Sequence, residues 1–217
     1  MSQIKRGNLI TLEGTEGVGK TTNMAHVCEW LSTRQITYLA AREPGGTVLA
    51  EQIRDLLLDT HTEAVAPVTE LLLMFASRAQ HLTQRIEPAL AAGTWVVCDR
   101  FSDASYAYQG AGRGIPELFI KQLEHMVQGF LQPNLTLILD TPVSQGLSRA
   151  KSRSAPDRFE REQHAFFERV REGYLTRAKK HPQRCKMIDA SLPLVVVQEQ
   201  LNEVLDAFVA AQPNSCP

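Results

Sequence analysis

The clearest chemical pattern in this chain is a glycine-rich segment, GTEGVGKTT at positions 14–22, directly after the apolar run LITL at positions 9–12. Glycines in such a loop let backbone N–H groups converge on phosphate oxygens, and a helix that starts behind them adds its dipole. We expect Lys20 to reach the β and γ phosphates of a nucleotide, Thr21 to offer its hydroxyl to Mg²⁺, and Thr22 to begin the helix. The alternative is a glycine turn that binds nothing, but the Lys-Thr pair between a strand and a helix favours a phosphate site.

Further charged residues stand where predicted strands end. The second predicted strand is followed by REPGGT at 42–47, the third by Asp99 and Arg100, and the fourth by Asp140. Open parallel sheets bind ligands at the carboxyl ends of their strands, so these side chains should lie beside the glycine loop. Asp99 could act on Mg²⁺ or its waters, and Arg100 could hold a second phosphate bidentately. The alternative is that the Asp-Arg pair caps a helix and forms a surface ion pair.

A short basic stretch lies between two predicted helices. Arg149, Lys151, Arg153 and Arg158 surround the sequence SAP at 154–156. Phosphoryl transfer depends on charge neutralisation, and a mobile basic segment that closes over a nucleotide would supply arginines and exclude water. The alternative is a solvated, basic helix end.

The predicted helix at positions 70–81 places Arg78 one turn beyond Met74 and Phe75. An arginine there could address the edge or the stacked face of a base, with the apolar pair forming a slot for a flat ring. The alternative is that Met74 and Phe75 belong to the core and Arg78 to a surface ion pair. Composition alone favours this alternative.

The elements that must position these residues alternate between short β-rich runs and longer stretches with helical apolar spacing. Such alternation predicts an α/β domain with a parallel sheet covered by helices. The predicted strands are 9–12, 37–41, 95–98, 135–139 and 187–188. The run LTLIL at 135–139 is nearly all apolar, as in a strand buried on both faces, and we expect it to be central.

Helices are predicted between the strands from the spacing of their apolar residues. Pro67 opens a long helical stretch that runs toward Gly93. The apolar faces predicted for the other helices are Leu49, Ile53, Leu56 and Leu57; Leu118, Leu123, Met126 and Phe130; Phe167, Val170, Tyr174 and Ala178; and Leu201, Val204, Leu205 and Phe208.

Size and composition predict a single domain, 1–217, with a frayed tail at 212–217. The chain has 24 acidic and 23 basic residues, so we expect no general affinity for nucleic acid. Its four cysteines are widely separated and contain no Cys-x-x-Cys pair, which argues against a disulfide framework and favours a cytoplasmic protein. The sequence shows neither a signal-peptide core nor an apolar run of membrane-spanning length, so we predict no export and no membrane partner.

Together these motifs resemble the bacterial thymidylate kinase family over nearly the whole chain. The matching segments, in family order, are the glycine loop, REPGGT at 42–47, ASRAQH at 76–81, DRF at 99–101, YAYQG at 106–110, RG at 113–114 and DRFE at 157–160. REPGGT is the most family-specific of these, whereas many unrelated enzymes share the glycine loop. The resemblance implies a three-layer P-loop NTPase fold with a five-stranded parallel sheet flanked by helices and a short lid at about 149–160.

The family transfers the γ-phosphoryl group of ATP to dTMP with Mg²⁺, so the resemblance implies sites for a donor, an acceptor and a metal. ATP would be bound by Gly14, Thr15, Glu16, Gly17, Val18, Gly19, Lys20, Thr21 and Thr22. The residues for dTMP would be Glu43, Met74, Phe75, Arg78, Arg100, Ser105, Tyr108 and Gln109. Mg²⁺ and its waters would be organised by Thr21, Glu43 and Asp99.

Within the acceptor site the resemblance implies a separate role for each part. Arg100 would hold the phosphate, and Tyr108 would pack against the sugar, where an added 2′-hydroxyl would be crowded. Arg78 and Gln109 would read the thymine ring.

The chain departs from the family pattern at two positions of this site. Family members often carry a phenylalanine where this chain has Met74, and its own aromatic ring comes one place later, at Phe75. Methionine packs against a base with less defined geometry. Some relatives carry asparagine where this chain has Ser105.

Positive charge during transfer comes, in this family, from an arginine in the glycine loop or from arginines in the lid. Here the loop has Glu16 at the relevant place, so the resemblance implies that the lid supplies it, with Arg153 as first choice. The predicted catalytic residues are therefore Lys20, Arg100, Arg153, Arg149 and Arg158.

Two other interpretations stay open at this point. A different nucleoside monophosphate kinase would share Lys20 and Arg100 but differ in its base slot. A nucleotide-dependent switch would have no second substrate, which leaves the lid arginines and the YAYQ run at 106–109 unexplained. The resemblance also implies a homodimer, and VTELLLMF at 68–75 could supply an apolar contact unless this stripe only faces the sheet.

Overall fold

A five-stranded parallel sheet, ordered β2-β3-β1-β4-β5, forms the centre of the protein. The computed structural model describes residues 6–59, 63–151, 158–160 and 162–212. The strands are β1 Leu9–Glu13, β2 Tyr38–Arg42, β3 Trp95–Asp99, β4 Leu135–Asp140 and β5 Cys185–Asp189. The predicted α/β class and the five predicted strands are confirmed, with differences of one or two residues at the strand ends.

Strands β1 and β4 are buried on both faces, which explains their nearly continuous apolar sequences. Every residue of β1 is buried, and so is every residue of β4 except Asp140. The polar side chains of Thr11 and Thr136 bond to each other, with 2.9 Å between their hydroxyl oxygens. β1 occupies the centre of the sheet, and β4 lies beside it, paired with β1 and β5.

Helices cover both faces of the sheet. They are α1 Lys20–Thr33, α2 Val48–Leu58, α3 Pro67–His81, α4 Glu87–Ala91, α5 Ser102–Ser105, α6 Glu117–Gln128, α7 Val143–Lys151, α8 His164–Lys180 and α9 Leu194–Ala210. Two π-helical turns, Leu82–Ile86 and Tyr106–Gly112, join α3 to α4 and extend α5. The predicted long helical stretch from Pro67 is thus confirmed as far as Ala91.

The core consists of apolar side chains on either side of the sheet. On one face, Leu31 of α1 and Leu201 of α9 pack with Leu12 of β1. On the other face, Val170 of α8 packs with Ile138 of β4, while α4 covers β3. Burying one such side chain stabilises the fold by about 1.5–3 kcal/mol. Among the residues that the structure describes, no helix is long and apolar enough to cross a membrane.

Two helix predictions are wrong in detail. The first concerns α1, which begins at Lys20 and not at Thr22. Gly19, with a φ of 88°, turns the chain so that the next residue already takes the first helical position. Lys20 therefore has a fixed place at the helix start.

The second correction concerns α6, where Leu123 packs against the core as predicted but the other three predicted apolar residues do not. Leu118 and Met126 are exposed, and the helix ends before Phe130. Its buried face carries the polar Glu124, which accepts a hydrogen bond of 2.5 Å from the hydroxyl of Tyr106. Because this carboxylate has a buried partner, a polar side chain can occupy a position that the apolar pattern assigns to leucine.

Candidate active site

A cavity of about 340 Å³ lies at the carboxyl ends of β2 and β3, next to the glycine loop after β1. Its walls come from five parts of the chain that are distant in sequence. They include Glu16, Gly17, Gly19, Lys20, Thr21, Arg42, Glu43, Arg54, Met74, Arg78, Asp99, Arg100, Ser105, Tyr108, Gln109, Phe159 and Glu160. Most of the predicted site residues thus line one cavity, as the strand-end rule requires.

The glycine loop is closed against α7. Gly17 has a φ of 72°, and a Cβ atom there would overlap the carbonyl oxygen of Gly146. Only glycine fits both the conformation and the space. The loop ends where α1 begins, and the first turn of α1 carries no acidic residue that would compete with an anion for its N–H groups.

Lys20 lies at the floor of this loop. Its Nζ donates hydrogen bonds to the carbonyl oxygens of Gly14, at 3.2 Å, and Thr15, at 2.8 Å. Burial and then Arg100 lower the pKa of Lys20, while Glu16 and nearby carboxylates act in the opposite direction. The ammonium group is therefore poised at the loop without a close carboxylate partner, since Glu16 lies 4.0 Å away.

The other predicted ATP residues have different surroundings. Thr21 lines the cavity. The side chains of Thr15 and Val18 are buried, and neither residue is among the described residues that line the cavity. Thr22 is exposed on α1 and is not among the described residues that line the cavity.

Arg100 reaches the same loop from the end of β3. Its backbone has a φ of 68°, and its Nη1 donates to the carbonyl oxygen of Gly14, at 2.8 Å, and to the hydroxyl of Tyr174, at 3.1 Å. Its Nη2 donates to Oε1 of Glu16 at 2.7 Å. Tyr108 donates to that same oxygen and lies under the guanidinium, whose carbon is 4.7 Å from the ring centre.

Asp99 lies beside Arg100 on the cavity wall. Its Oδ1 is buried and has no hydrogen-bond partner among the described residues. A buried carboxylate oxygen without a partner is unfavourable unless a ligand or water donates a hydrogen bond to it or a cation coordinates it. Within the described part of the chain, no three His, Cys, Asp or Glu side chains converge on a metal position. A cation here would therefore need oxygen ligands from a bound phosphate and from Thr21 in addition to Asp99.

Glu43 lines the cavity, and its carboxylate is bonded to side chains of α3. Its Oε2 accepts from Nε of Arg78 at 2.6 Å, and its Oε1 lies 3.2 Å from Nδ1 of His81. Both oxygens are thus engaged by α3. Gly46 permits this approach, because a Cβ atom there would overlap the His81 ring. Glu43 anchors Arg78 in this structure.

Arg78 is held by hydrogen bonds in the cavity wall. Besides Glu43, it donates from Nη1 to Oγ of Ser105 at 3.1 Å and from Nη2 to the carbonyl oxygen of Phe101 at 3.0 Å. Each nitrogen of the guanidinium thereby has a protein partner. Ser105 serves as one of these anchors.

The predicted slot formed by Met74 and Phe75 is half wrong. Met74 lines the cavity, but Phe75 packs in the core with Leu71 and Ile120 and is absent from the described lining residues. Arg78 lies over the Phe75 ring at 4.7 Å. The two neighbours on α3 point about 100° apart around the helix, so only one of them can face the cavity.

Gln109 and Tyr108 come from the π-helical turn after α5. Gln109 lines the cavity and donates from Nε2 to Oε1 of Glu70 at 2.8 Å. Tyr108 packs edge-on against the rings of Phe159 and Phe166. A flat ligand between Met74 and Tyr108 would meet the guanidinium of Arg78 and the amide of Gln109 at one end.

The predicted lid arginines do not line the cavity in the described structure. Nη1 of Arg149 donates to the carbonyl oxygen of Ala190 at 2.9 Å. Nε of Arg158 donates to the carbonyl oxygen of Leu57 at 2.8 Å, and its Nη2 lies 2.8 Å from Oε2 of Glu70. Arg153 lies outside the described residues.

Sequence reasoning missed several residues of this site. Glu13, the last residue of β1, accepts from the backbone N–H of Phe101 at 2.7 Å and from the hydroxyl of Tyr174 at 2.8 Å. Burial and then Asp103 raise the pKa of Glu13 to about 8. The strand-end rule that identified Asp99 would have found Glu13 as well.

Two further residues had weaker signals in the sequence. Arg54 of α2 lines the cavity and donates to the carbonyl oxygen of Pro44 at 2.9 Å. Glu70 is completely buried on α3 and bonds to Gln109 and Arg113. Neither stands in a pattern that separates it from an ordinary surface residue.

Comparison with known proteins supplies a family for this geometry. The model of the thymidylate kinase family matches residues 12–201. The chain belongs to the thymidylate kinase family. Thymidylate kinase of Teredinibacter turnerae is 54% identical over 203 residues, which cover 94% of this chain and 99% of that protein. Thymidylate kinase of Chromohalobacter salexigens is 57% identical over 197 residues, covering 90% and 93% of the two chains.

A solved structure extends the similarity to the fold. The crystal structure of thymidylate kinase from Ehrlichia chaffeensis superposes with a TM-score of 0.75 at 32% identity, covering 92% of this chain and 99% of that one. The three-layer fold expected from the family resemblance is therefore confirmed, as is the family itself.

Proposed function

We propose that this protein is a thymidylate kinase, which transfers the γ-phosphoryl group of ATP to dTMP and yields ADP and dTDP for DNA synthesis. The observation that carries this proposal is the convergence of Lys20 and Arg100. Both side chains line the cavity, and both donate to one atom, the carbonyl oxygen of Gly14. Two cations at one point match the charge neutralisation that phosphoryl transfer requires.

In this proposal the donor half of the cavity binds ATP. The N–H groups of the glycine loop and of the first turn of α1 bind the phosphates, and Lys20 neutralises their charge. Thr21 and Asp99 would hold Mg²⁺, which is supported by the partnerless Oδ1 of Asp99. When bound, the ion neutralises charge on the phosphate oxygens.

The acceptor half binds dTMP in this proposal. Arg100 leaves Glu16 and holds the acceptor phosphate, and Tyr108 packs against the sugar. The base lies against Met74, with Arg78 and Gln109 at its polar edge. This arrangement is supported by the presence of all five of these residues in the lining of the same cavity.

The lid segment at about 149–160 completes the site by excluding water. Arg153 stays our first choice for the arginine that stabilises the transferring group, because Arg149 and Arg158 have backbone partners elsewhere. Phe159 and Glu160, which follow this segment's centre, line the cavity and support its role as a cover.

The test is an acceptor panel with the purified chain, ATP and Mg²⁺. We expect dTMP to be phosphorylated in preference to dUMP, dCMP, dAMP and dGMP. Absence of dTDP formation would refute the proposal. Arg78→Ala should raise the KM for dTMP by roughly tenfold to a hundredfold, as for loss of a charged hydrogen bond, and leave the KM for ATP nearly unchanged. Arg34→Ala, which removes an exposed ion pair with Asp206 outside the cavity lining, is the control.

We also propose a homodimer, formed through one face built from α2, α3 and α6. The stretch at 68–75 supports it only in part, since Leu71 and Phe75 are buried while Val68 and Leu72 are exposed. Leu49 and Met126 extend this exposed apolar face onto the neighbouring helices. A cytoplasmic location is part of the same proposal, supported by unpaired Cys28, Cys98 and Cys185 in the described chain.

A further inference from the structure

Glu70 is a completely buried carboxylate that does not line the cavity in the described structure. Its Oε1 accepts from Nε2 of Gln109 at 2.8 Å. Its Oε2 accepts from Nη2 of Arg113 at 3.1 Å and lies 2.8 Å from Nη2 of Arg158, while Nε of Arg113 donates to both oxygens, at 3.3 Å to Oε1 and 3.2 Å to Oε2. All of its contacts are therefore with hydrogen-bond donors, and two of the three donor residues are arginines.

This arrangement fixes which way the amide of Gln109 points. A carboxylate can only accept, so the NH₂ group of Gln109 must face Glu70. The amide oxygen is then the atom of Gln109 left for the cavity, which this residue lines. Gln109 thus presents an acceptor, although glutamine in isolation can present either a donor or an acceptor.

Arg78 provides the opposite polarity beside it. Each of its terminal nitrogens carries two N–H groups, and the described bonds to Ser105 and Phe101 use one on each. The polar end of the cavity therefore offers a donor from Arg78 and an acceptor from Gln109. A pyrimidine with a 4-carbonyl and an N3–H group complements both, whereas a 4-amino pyrimidine has its donor and acceptor reversed.

We infer that Glu70 is a positioning residue that makes this kinase select a keto pyrimidine over an amino pyrimidine, by fixing the orientation of the Gln109 amide. The inference rests on the proposed function and deepens it. Glu70 acts only through Gln109, so its effect should appear in the choice of acceptor base and not in the use of ATP.

The sharpest probe is a pair of acceptors with the same shape, dTMP and 5-methyl-dCMP. They differ only in the 4-substituent and in the proton on N3, so the ratio of their kcat/KM values measures polarity alone. The unchanged chain is assayed first with dTMP. If the unchanged chain does not phosphorylate dTMP, the proposed function is wrong. The inference about Glu70 is tested separately, by the ratio of kcat/KM for dTMP to that for 5-methyl-dCMP in the variants.

Glu70→Gln should reverse the amide of Gln109. The shorter arginine contacts are on the Oε2 side of residue 70, at 2.8 and 3.1 Å, against 3.3 Å from Nε of Arg113 on the Oε1 side. We therefore expect the new carbonyl oxygen to stay with the arginines and the new NH₂ group to face Gln109, which then turns its own oxygen inward and its NH₂ group to the cavity. We expect the preference for dTMP over 5-methyl-dCMP to fall by roughly tenfold or more, as for the loss of one hydrogen bond and the gain of one mismatch. The KM for ATP should stay unchanged.

The exchanged double variant, Glu70→Gln with Gln109→Glu, is the rescue. Residue 109 becomes a carboxylate, which accepts from the NH₂ group of residue 70 and offers an oxygen to the cavity, so the preference for dTMP should return. Glu162→Gln is the matched control, because Glu162 pairs with Arg113 and does not contact Gln109 in the described structure. It should leave the ratio unchanged.

A ratio that stays within twofold in a folded Glu70→Gln variant would overturn the inference, and so would failure of the double variant to restore it. If Glu70→Gln does not fold, neutron diffraction on the unchanged chain with dTMP decides instead. Deuterium atoms of Gln109 directed at Glu70 support the inference, and deuterium atoms directed at the base refute it.

Discussion

Arg100 and Glu16 form an ion pair of 2.7 Å across the entrance to the phosphate loop. Burial alone would raise the pKa of Glu16, but Arg100 and Lys20 outweigh it and hold the pKa below its ordinary value. Glu16 therefore competes, as an anion, with any phosphate that Arg100 is to bind. The acceptor must exchange one anionic partner of Arg100 for another.

Glu16→Gln should consequently lower the KM for dTMP, by roughly fivefold, because a neutral amide holds Arg100 less firmly than a carboxylate does. Steady-state kinetics at saturating ATP measure this change. Asp206→Asn, which weakens the exposed pair with Arg34, serves as the control and should have no effect. A higher KM for dTMP would show that Glu16 orients Arg100 instead of competing for it.

Gly17→Ala should abolish ATP binding and lower the melting temperature, since a methyl group at this position overlaps the backbone of Gly146 in α7. Gly114→Ala is a matched control. Both glycines have a similar positive φ, 72° and 78°, but a Cβ atom at Gly114 meets nothing within 4 Å. Backbone strain alone costs about 1 kcal/mol, so the control should stay folded and active. Calorimetry measures the melting temperature and titration measures ATP affinity. Equal losses of both in the two variants would show that the contact between residue 17 and Gly146 is not the cause.

Glu13→Gln should change how stability depends on pH. Burial raises the pKa of Glu13 from 4.5 to about 8, so between these values the unfolded chain loses a proton that the folded chain keeps. Glu13 therefore favours folding less and less as the pH rises through this range. Glutamine resembles the protonated side chain and lacks this dependence.

The difference in free energy of unfolding between Glu13→Gln and the unchanged chain should accordingly shift in favour of the variant, by a few kcal/mol, from about pH 5 to about pH 8. Urea denaturation across this range provides the measurement. Other titrating groups largely cancel in the difference, so a constant difference would mean that Glu13 is ionised throughout.

Leu72→Glu should convert the proposed dimer to a monomer, because it places a charge on the exposed apolar face of α3. Sedimentation at several concentrations gives the mass. Leu194→Glu on α9 is the control, since Leu194 is exposed to a similar extent, 49% against 52% for Leu72, but lies on the other side of the sheet. A monomer mass for the unchanged chain at all concentrations would refute the dimer.

The parts of the site that were predicted from the sequence are those set by local patterns. The glycine loop needs only a strand before it and a helix after it. Both elements are adjacent to the loop in sequence, so a local pattern is enough to predict it. Asp99 and Arg100 follow from the rule that parallel strands end at one edge of the sheet. Such features do not depend on which distant segment packs nearby.

The remaining parts depend on contacts between distant segments. Glu13 and Tyr174 are 161 positions apart, and Glu70 and Gln109 are 39 apart, so no spacing pattern connects them. The choice between Met74 and Phe75 was decided by the rotation of α3 against its neighbours, which a sequence pattern of apolar residues does not fix.

Arg78 has its three protein partners in place without a ligand, so the rotamer entropy of this side chain is already lost when the chain folds. A molecule that fills the base end meets a rigid surface, whereas a phosphate must first displace Glu16 from Arg100. An uncharged, base-shaped inhibitor without any phosphate should therefore bind well at this end alone.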